Sequence, residues 1–265
     1  MHAEGNLKKM KTQMQNGLIQ YSLILDNEIK MNDLIGHTIK LSFGGRINCV
    51  SCGNITKKAF GQGFCYKCFI SSPMNSECII RPELCQAHIG KGRDAEWEEK
   101  NHNQPHVVYL ALTKGVKVGV TRADQIPTRW IDQGAWKAIV LAEVPYRQIA
   151  GEIEVALKEH MADKTNWRDM LKNIVSPEID LEEEKEEALE LLPEPLQEFF
   201  SDNDDVWELN YPVEKYPVKV KSIGFDKMPV VEGKLFGIKG QYLIFEDERV
   251  LNVRNHSGYF IQLEA

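Results

Sequence analysis

The sequence predicts a mixed α+β protein made of a small cysteine-bearing ribbon, a central α/β unit and a β-rich C-terminal domain. Three observations predict it. Two CxxC pairs, Cys49-x2-Cys52 and Cys65-x2-Cys68, stand twelve residues apart. Between residues 106 and 162, three short apolar runs are followed by a stretch with apolar residues at helical spacing. Beyond Tyr211, five short apolar runs are separated by Gly, Asp or Asn turns.

Length and composition set the frame. A chain of 265 residues with 43% apolar content has room for two compact domains, or one domain with a small module. No stretch approaches the ~18 uncharged apolar residues of a membrane span. The lysines at 8, 9 and 11 are not followed by an apolar segment, so no signal peptide is expected. The cysteines are paired as metal ligands rather than spread as a disulfide framework. These features predict a reducing, cytoplasmic setting and no membrane partner.

The N-terminal segment, 1–47, divides in two. Residues 1–16 are polar and Lys-rich without a sustained period, and are expected to be mobile. Residues 18–47 read as β structure, with a turn at Asp26-Asn27 and a strand over His37–Phe43 that stops at Gly44-Gly45. This segment could pair with the C-terminal β domain, which would make the middle of the chain an insertion.

The ribbon is placed at 48–90. Each CxxC turn can present two thiolates, and the residues between the turns can form a hairpin that brings them together. Cys49, Cys52, Cys65 and Cys68 therefore predict one structural Zn2+. Cys78, Cys85, His88, His102 and His106 follow, and Cys78-x6-Cys85-x2-His88 is the nearest of them to a ligand spacing. They could supply a second metal site. Alternatively the loop is held by packing of Trp97 and a turn at Pro82.

The central unit is placed at 105–175. Val107–Leu112 and Val116–Thr121 read as strands joined at Thr113-Lys114-Gly115, and Ala138–Val144 as a third. Pro127 suits the first turn of a short helix that Gly134 can end. Residues 147–162 read as a helix with its stripe at Ile149, Ile153, Ala156 and Leu157. An acidic helix over 181–191 then opens a segment, 177–208, that reads as helix and linker, and 209–265 is the β domain, a small barrel or curled sheet.

The net charge of −7 is local. Residues 1–176 balance at +5, 177–208 at −13 and 209–265 at +1. The acidic stretch is either a solvated helix or an intramolecular polyanion able to compete with nucleic acid for a basic face. The ribbon carries Lys57, Lys58 and Lys67 among Phe60, Phe64, Tyr66 and Phe69, side chains that can contact phosphates and stack on bases or simply form a small core.

Strand alternation puts Tyr109 and Lys117 on one side of the first two strands of the central unit. Arg129 falls on the short helix and Glu154 on the longer one. A carboxylate can hold a divalent cation, Arg and Lys can stabilise phosphate charge, and Tyr can orient water, so the set suits phosphodiester cleavage. Each residue also has a structural reading: Tyr109 as a strand residue, Arg129 as a surface cation, and Glu154 as the partner of Lys158 one helical turn on.

The order of these residues resembles the GIY-YIG nuclease superfamily. Val107-Val108-Tyr109 looks like its first motif and Lys117-Val118-Gly119, with Thr121 after it, like its second. Lysine replaces the second tyrosine, as in the branch reading K-I-G-x-T. The resemblance covers residues 106–162 and implies that Tyr109, Lys117, Arg129 and Glu154 are catalytic, with Mg2+ or Mn2+ on Glu154 and DNA or RNA as substrate. Most of the chain also resembles an uncharacterised bacterial family, domain of unknown function family 2797. The resemblance is carried by both CxxC pairs, Arg81-Pro82-Glu83-x-Cys85, Lys117–Arg122, Pro127–Ala135, Asp163–Trp167 and Gly237–Tyr242. That likeness implies cysteines where Asn75, Gly92 and Asn103 stand, and hence a second metal site that is reduced or lost. The expected function is a zinc-containing nucleic-acid-binding protein with metal-dependent nuclease activity. The alternative is a non-catalytic zinc-ribbon scaffold that binds nucleic acid or a protein partner.

Overall fold

The computed structural model describes residues 1–161 and 166–265. It divides into two compact units: Met1–Ile70 with Ile131–Gly134 and Asn210–Ala265, and Ser71–Trp130 with Ala135–Leu209. The whole is mixed α+β and rich in strand. Among the described residues, no helix is long and apolar enough to cross a membrane.

The chain opens with β1 (His2–Asn6), β2 (Lys11–Gln15), β3 (Leu18–Ile24), β4 (Glu28–Lys30) and β5 (Thr38–Asn48). β2, β3 and β4 form an antiparallel three-stranded sheet. The alternation in β3 is clear: Ile19, Tyr21 and Leu23 are buried while their neighbours are not. β6 (Ile55–Thr56) and α1 (Tyr66–Ser71) belong to the cysteine module.

The second unit begins with consecutive 3-10 turns between Pro73 and Ile89, then α2 (Ala95–His102). β7 (His106–Leu112), β8 (Val116–Arg122), α3 (Thr128–Asp132), β9 (Lys137–Val144) and α4 (Arg147–Lys158) follow. After them come α5 (Trp167–Leu171), α6 (Leu181–Leu191), α7 (Glu194–Gln197) and β10 (Trp207–Glu208). The sheet runs β10-β9-β7-β8, antiparallel throughout. β7 is buried along its whole length, which explains its unbroken apolar run. One face meets α4 through Val108, Leu110, Val118, Ile153 and Leu157, the stripe that the helical period points to. The helix expected over 147–162 ends at Lys158; Ala162 and Asp163–Thr165 lie outside the described residues.

The acidic stretch read as helix and linker is packed into this core. Leu181, Ala188 and Leu192 join the same apolar cluster. Lys185 is buried because its ammonium donates to Asp204 Oδ1 at 2.7 Å and Asn203 O at 2.9 Å. The carboxylates of Glu182, Glu183, Glu186, Glu187 and Glu190 stay exposed.

The chain returns to the first unit with β11 (Lys221–Ile223), β12 (Val230–Lys239), β13 (Tyr242–Phe245), β14 (Arg249–Asn252) and β15 (Tyr259–Glu264). Among the described residues these build an eight-stranded sheet in the order β1-β15-β5-β12-β13-β14-β11, with β6 added to β5. β5 pairs with both β12 and β15, so N- and C-terminal segments share one sheet.

Three expectations change. The strand expected to stop at Gly44-Gly45 runs through both glycines to Asn48, because Ile47 and Asn48 pair with β6 and Ile47 also with Tyr259 of β15. Residues 1–16 are ordered as β1 and β2, because backbone pairing needs no hydrophobic period: β1 pairs with β15 from His2↔Glu264 to Asn6↔Phe260. The strand expected at Val218–Val220 begins instead at Lys221. The Glu248 carboxylate accepts from the N–H groups of Val218 and Lys219 at 3.1 and 3.2 Å, which removes those groups from pairing.

Candidate functional site

The cysteine module is assembled by its backbone. Cys49 follows β5, and Gly53 N–H donates to Cys49 O at 2.8 Å to close the first turn. β6 then pairs back onto Ile47 and Asn48. Phe60 and Phe64 exchange N–H to carbonyl bonds at 2.8 and 3.0 Å, which closes the hairpin. Cys65 and Cys68 form the second turn, where Phe69 N–H donates to Cys65 O at 2.8 Å. Gly63, at φ +99°, lets this turn lie against the loop before β15: a Cβ there would meet Ser257 O at 2.5 Å.

The four sulfurs lie within 4.8 Å of one another, with Cys52 Sγ and Cys65 Sγ 3.9 Å apart. A tetrahedral zinc with Zn–S of about 2.3 Å needs sulfurs about 3.8 Å apart. The donor set and its spacing fit Zn2+. The thiols also tune one another. Burial alone raises the Cys49 thiol, but N–H groups of Cys52, Cys65 and Ser51 aimed at its sulfur hold it at about 6. Burial and then the neighbouring thiols of Cys52 and Cys65 push Cys68 up to about 12. Four thiolates this close repel, and a divalent cation is the group that lets all four ionise.

The residues expected to be catalytic are arranged differently. Tyr109 is fully buried on β7, opposite Gly119 of β8, and its ring fills the space that a Gly119 side chain would need. The ring meets Trp130 edge-on at 5.9 Å. Lys117 is buried two residues from Gly119, on the same face. Glu154 is on α4, which packs on the opposite face against Val108 and Leu110. It pairs with Lys158 at 3.1 Å, one helical turn on. Arg129 lies beside Trp130, and its buried Nε has no hydrogen-bond partner among the described residues. Arg129 and Glu154 both lie within electrostatic reach of Arg147, whose guanidinium is shifted down by burial. The structure thus puts Tyr109 and Lys117 on one face of the sheet but sets the helix carrying Glu154 on the other.

His88 stacks on Tyr146 with ring centroids 4.6 Å apart. His106 is buried, its Nδ1 2.7 Å from Gln104 O, and burial pushes its pKa down to about 4. Neither joins a metal-ligand cluster among the described residues.

Fold and site define a β-rich α+β protein with a four-cysteine cluster whose donors and spacing fit zinc. The chain belongs to the family described as Protein of unknown function (DUF2797), which it matches over residues 36–261. No curated protein and no solved structure matches it, so the GIY-YIG resemblance rests on its short motifs.

Proposed function

We propose that the protein binds nucleic acid through the outer face of its zinc module. One observation carries this reading. Residues 48–70 hold Lys57, Lys58 and Lys67 and no carboxylate, and all three lysines are exposed. Tyr66, 61% exposed, stands among them with its ring 5.4 Å from that of Phe60. Cations interleaved with an exposed aromatic suit phosphate contact and base stacking, and such surfaces tolerate many sequences. The cysteines supply rigidity: they fix both turns from which these side chains project.

The arrangement supports binding better than cleavage. Nuclease chemistry centred on Tyr109, Lys117, Arg129 and Glu154 needs the metal-binding carboxylate beside the tyrosine and lysine, whereas Tyr109 is sealed against Gly119 and α4 covers the other face. A non-catalytic nucleic-acid-binding role is therefore the one we favour.

The test is fluorescence anisotropy of labelled DNA and RNA oligonucleotides, single-stranded and duplex, with the zinc-loaded chain. If three lysines each neutralise one phosphate, duplex affinity falls about 40-fold between 50 and 200 mM salt. The Lys57→Gln, Lys58→Gln, Lys67→Gln variant loses most of that salt dependence. Absence of binding to every polynucleotide at 50 mM salt, the low end of that range, sinks the proposal and leaves a protein partner as the module's ligand.

A further inference from the structure

The segment between the cysteine module and the central sheet has its side chains distributed against the usual hydrophobic rule. Met74, Ile80, Leu84 and Ile89 are exposed, at 44%, 80%, 42% and 54%. Turned inward are Cys78, Cys85, Glu98 and His102, each at most 8% exposed. The apolar cluster of this segment consists of Cys78, Cys85 and Ala87. A loop of short 3-10 turns with so small a core has little hydrophobic reason to hold one shape, and small segments of this kind are usually organised by metals or disulfides. Both cysteines are free.

The inward groups converge. Cys78 comes from the turn Glu77–Ile79, Cys85 follows the turn Pro82–Leu84, and Glu98 and His102 lie one turn apart on α2. Two sulfurs, a carboxylate oxygen and an imidazole nitrogen lie within 4.8 Å of one another. Cys78 Sγ is 3.7 Å from His102 Nδ1, the nitrogen that also meets the Glu98 carboxylate. We infer that Cys78, Cys85, Glu98 and His102 form a second metal centre, taking a divalent cation of the zinc class in a shell of two sulfurs, one nitrogen and one oxygen.

The surroundings suit a metal. Ser76 Oγ donates to Glu98 Oε1 at 3.2 Å, so one carboxylate oxygen is positioned while the other faces the cluster. Trp97 packs edge-on against His102 with ring centroids 5.0 Å apart and fixes the ring. Gly92 leaves room for Glu98: a Cβ there would come within 2.4 Å of Glu98 Cγ. Arg147 donates to Cys78 O and Ile79 O, both at 3.0 Å. Two thiolates and a carboxylate around a dication leave one negative charge, which the Arg147 guanidinium balances. An open pocket of about 240 Å³ with Cys78, Lys91, Arg93 and Glu98 in its wall gives the ion a way in. Borderline-soft donors in a four-ligand set favour zinc over magnesium or calcium.

The centre is tested on the full chain, purified without chelator, by elemental analysis and zinc X-ray absorption. Two occupied sites give about two zinc per chain and a mean of about three sulfur neighbours per zinc, with nitrogen or oxygen at roughly 2.0–2.2 Å. His102→Ala and Cys85→Ser each reduce the content to about one zinc, and the remaining ion shows four sulfurs. That residual signal reports that the first module still folds. One zinc per chain in the wild type with four sulfur neighbours overturns the inference without any substitution. So does a wild-type content of two that both variants retain.

Discussion

Gly151 on α4 provides a case where local and tertiary effects have opposite signs. It lies in the helix interior, where alanine is favoured over glycine by about 1 kcal/mol. By propensity alone, Gly151→Ala stabilises the protein. The structure predicts the reverse. A Cβ at this position would lie 2.1 Å from Glu83 N, 2.4 Å from Pro82 C and 2.7 Å from Glu83 Cα, where ordinary contact begins near 3.4 Å. All three obstacles are backbone, so no rotamer change relieves them. The turn is itself closed by Cys85 N–H on Pro82 O at 3.0 Å. Helix and turn must separate by more than 1 Å, and overpacking of this kind typically costs about 1–3 kcal/mol, occasionally more. Because the obstacles are rigid backbone, the cost falls in the upper part of that range, and the propensity gain offsets part of it to leave a loss of about 1–2 kcal/mol. Urea unfolding followed by tryptophan fluorescence reads it. With a slope of about 2 kcal/mol per molar, the midpoint falls by roughly 0.5–1 M. Glu152→Ala, at the exposed neighbouring position, serves as control and leaves the midpoint nearly unchanged. A midpoint for Gly151→Ala equal to or above wild type would refute the packing of α4 on the Pro82–Leu84 turn.

Other outcomes follow from the same structure. Cys52→Ser removes one of four thiolates, so the chain loses the zinc of the first module and amide exchange across 48–70 accelerates; unchanged zinc content and protection would contradict the ligand assignment. Tyr66→Ala weakens binding to single-stranded oligonucleotides by about 1–3 kcal/mol if a base stacks on the ring, as anisotropy titration would show. Gln in place of Glu182, Glu183, Glu186 and Glu187 leaves the buried face of α6 intact and tightens nucleic-acid binding if the acidic face competes with phosphates; an unchanged affinity makes that face merely solvated. His106 supplies a pH test. Its folded pKa of about 4 lies below the ordinary 6.5, because burial disfavours the charged ring. The unfolded chain therefore takes up a proton between those values that the folded one refuses. Stability is full above pH 6.5 and falls toward pH 4, by up to about 3 kcal/mol. His106→Asn, which can still donate to Gln104 O, flattens this part of the profile in urea midpoints at pH 7.5 and 5 (about one unit above the ordinary pKa and 1.5 below it).

What could be read from the sequence followed how local each signal was. The four-cysteine cluster depends on two tight turns and one hairpin, so spacing alone exposes it. α4 and α6 show their stripes because Ile153, Leu157, Leu181 and Ala188 recur at helical period and meet one core. Strand parity correctly puts Tyr109 and Lys117 on one face, but parity cannot say which face a helix will cover. That is decided when the α4 stripe meets Val108 and Leu110, and it places Glu154 away from Tyr109. Glu98 is hidden for a different reason. It is one of three glutamates among residues 96–99, and only tertiary folding turns it inward, toward cysteines 13 and 20 residues back. A sequence signal did exist: Glu98 and His102 are four apart, which aligns them on one helical face. β1 was invisible because its order comes from backbone pairing with a strand more than 250 residues away.

The proposed docking of nucleic acid on the lysine-bearing face of the cysteine module is open to direct measurement. Hydrogen–deuterium exchange of the zinc-loaded chain, with and without a saturating oligonucleotide at low salt, tests it most directly. Docking there gives protection concentrated in residues 55–70, around Lys57, Lys58, Tyr66 and Lys67, with the core strands β7 and β9 unchanged. Protection elsewhere with 55–70 unaffected, or no protection at all under saturating conditions, would contradict it.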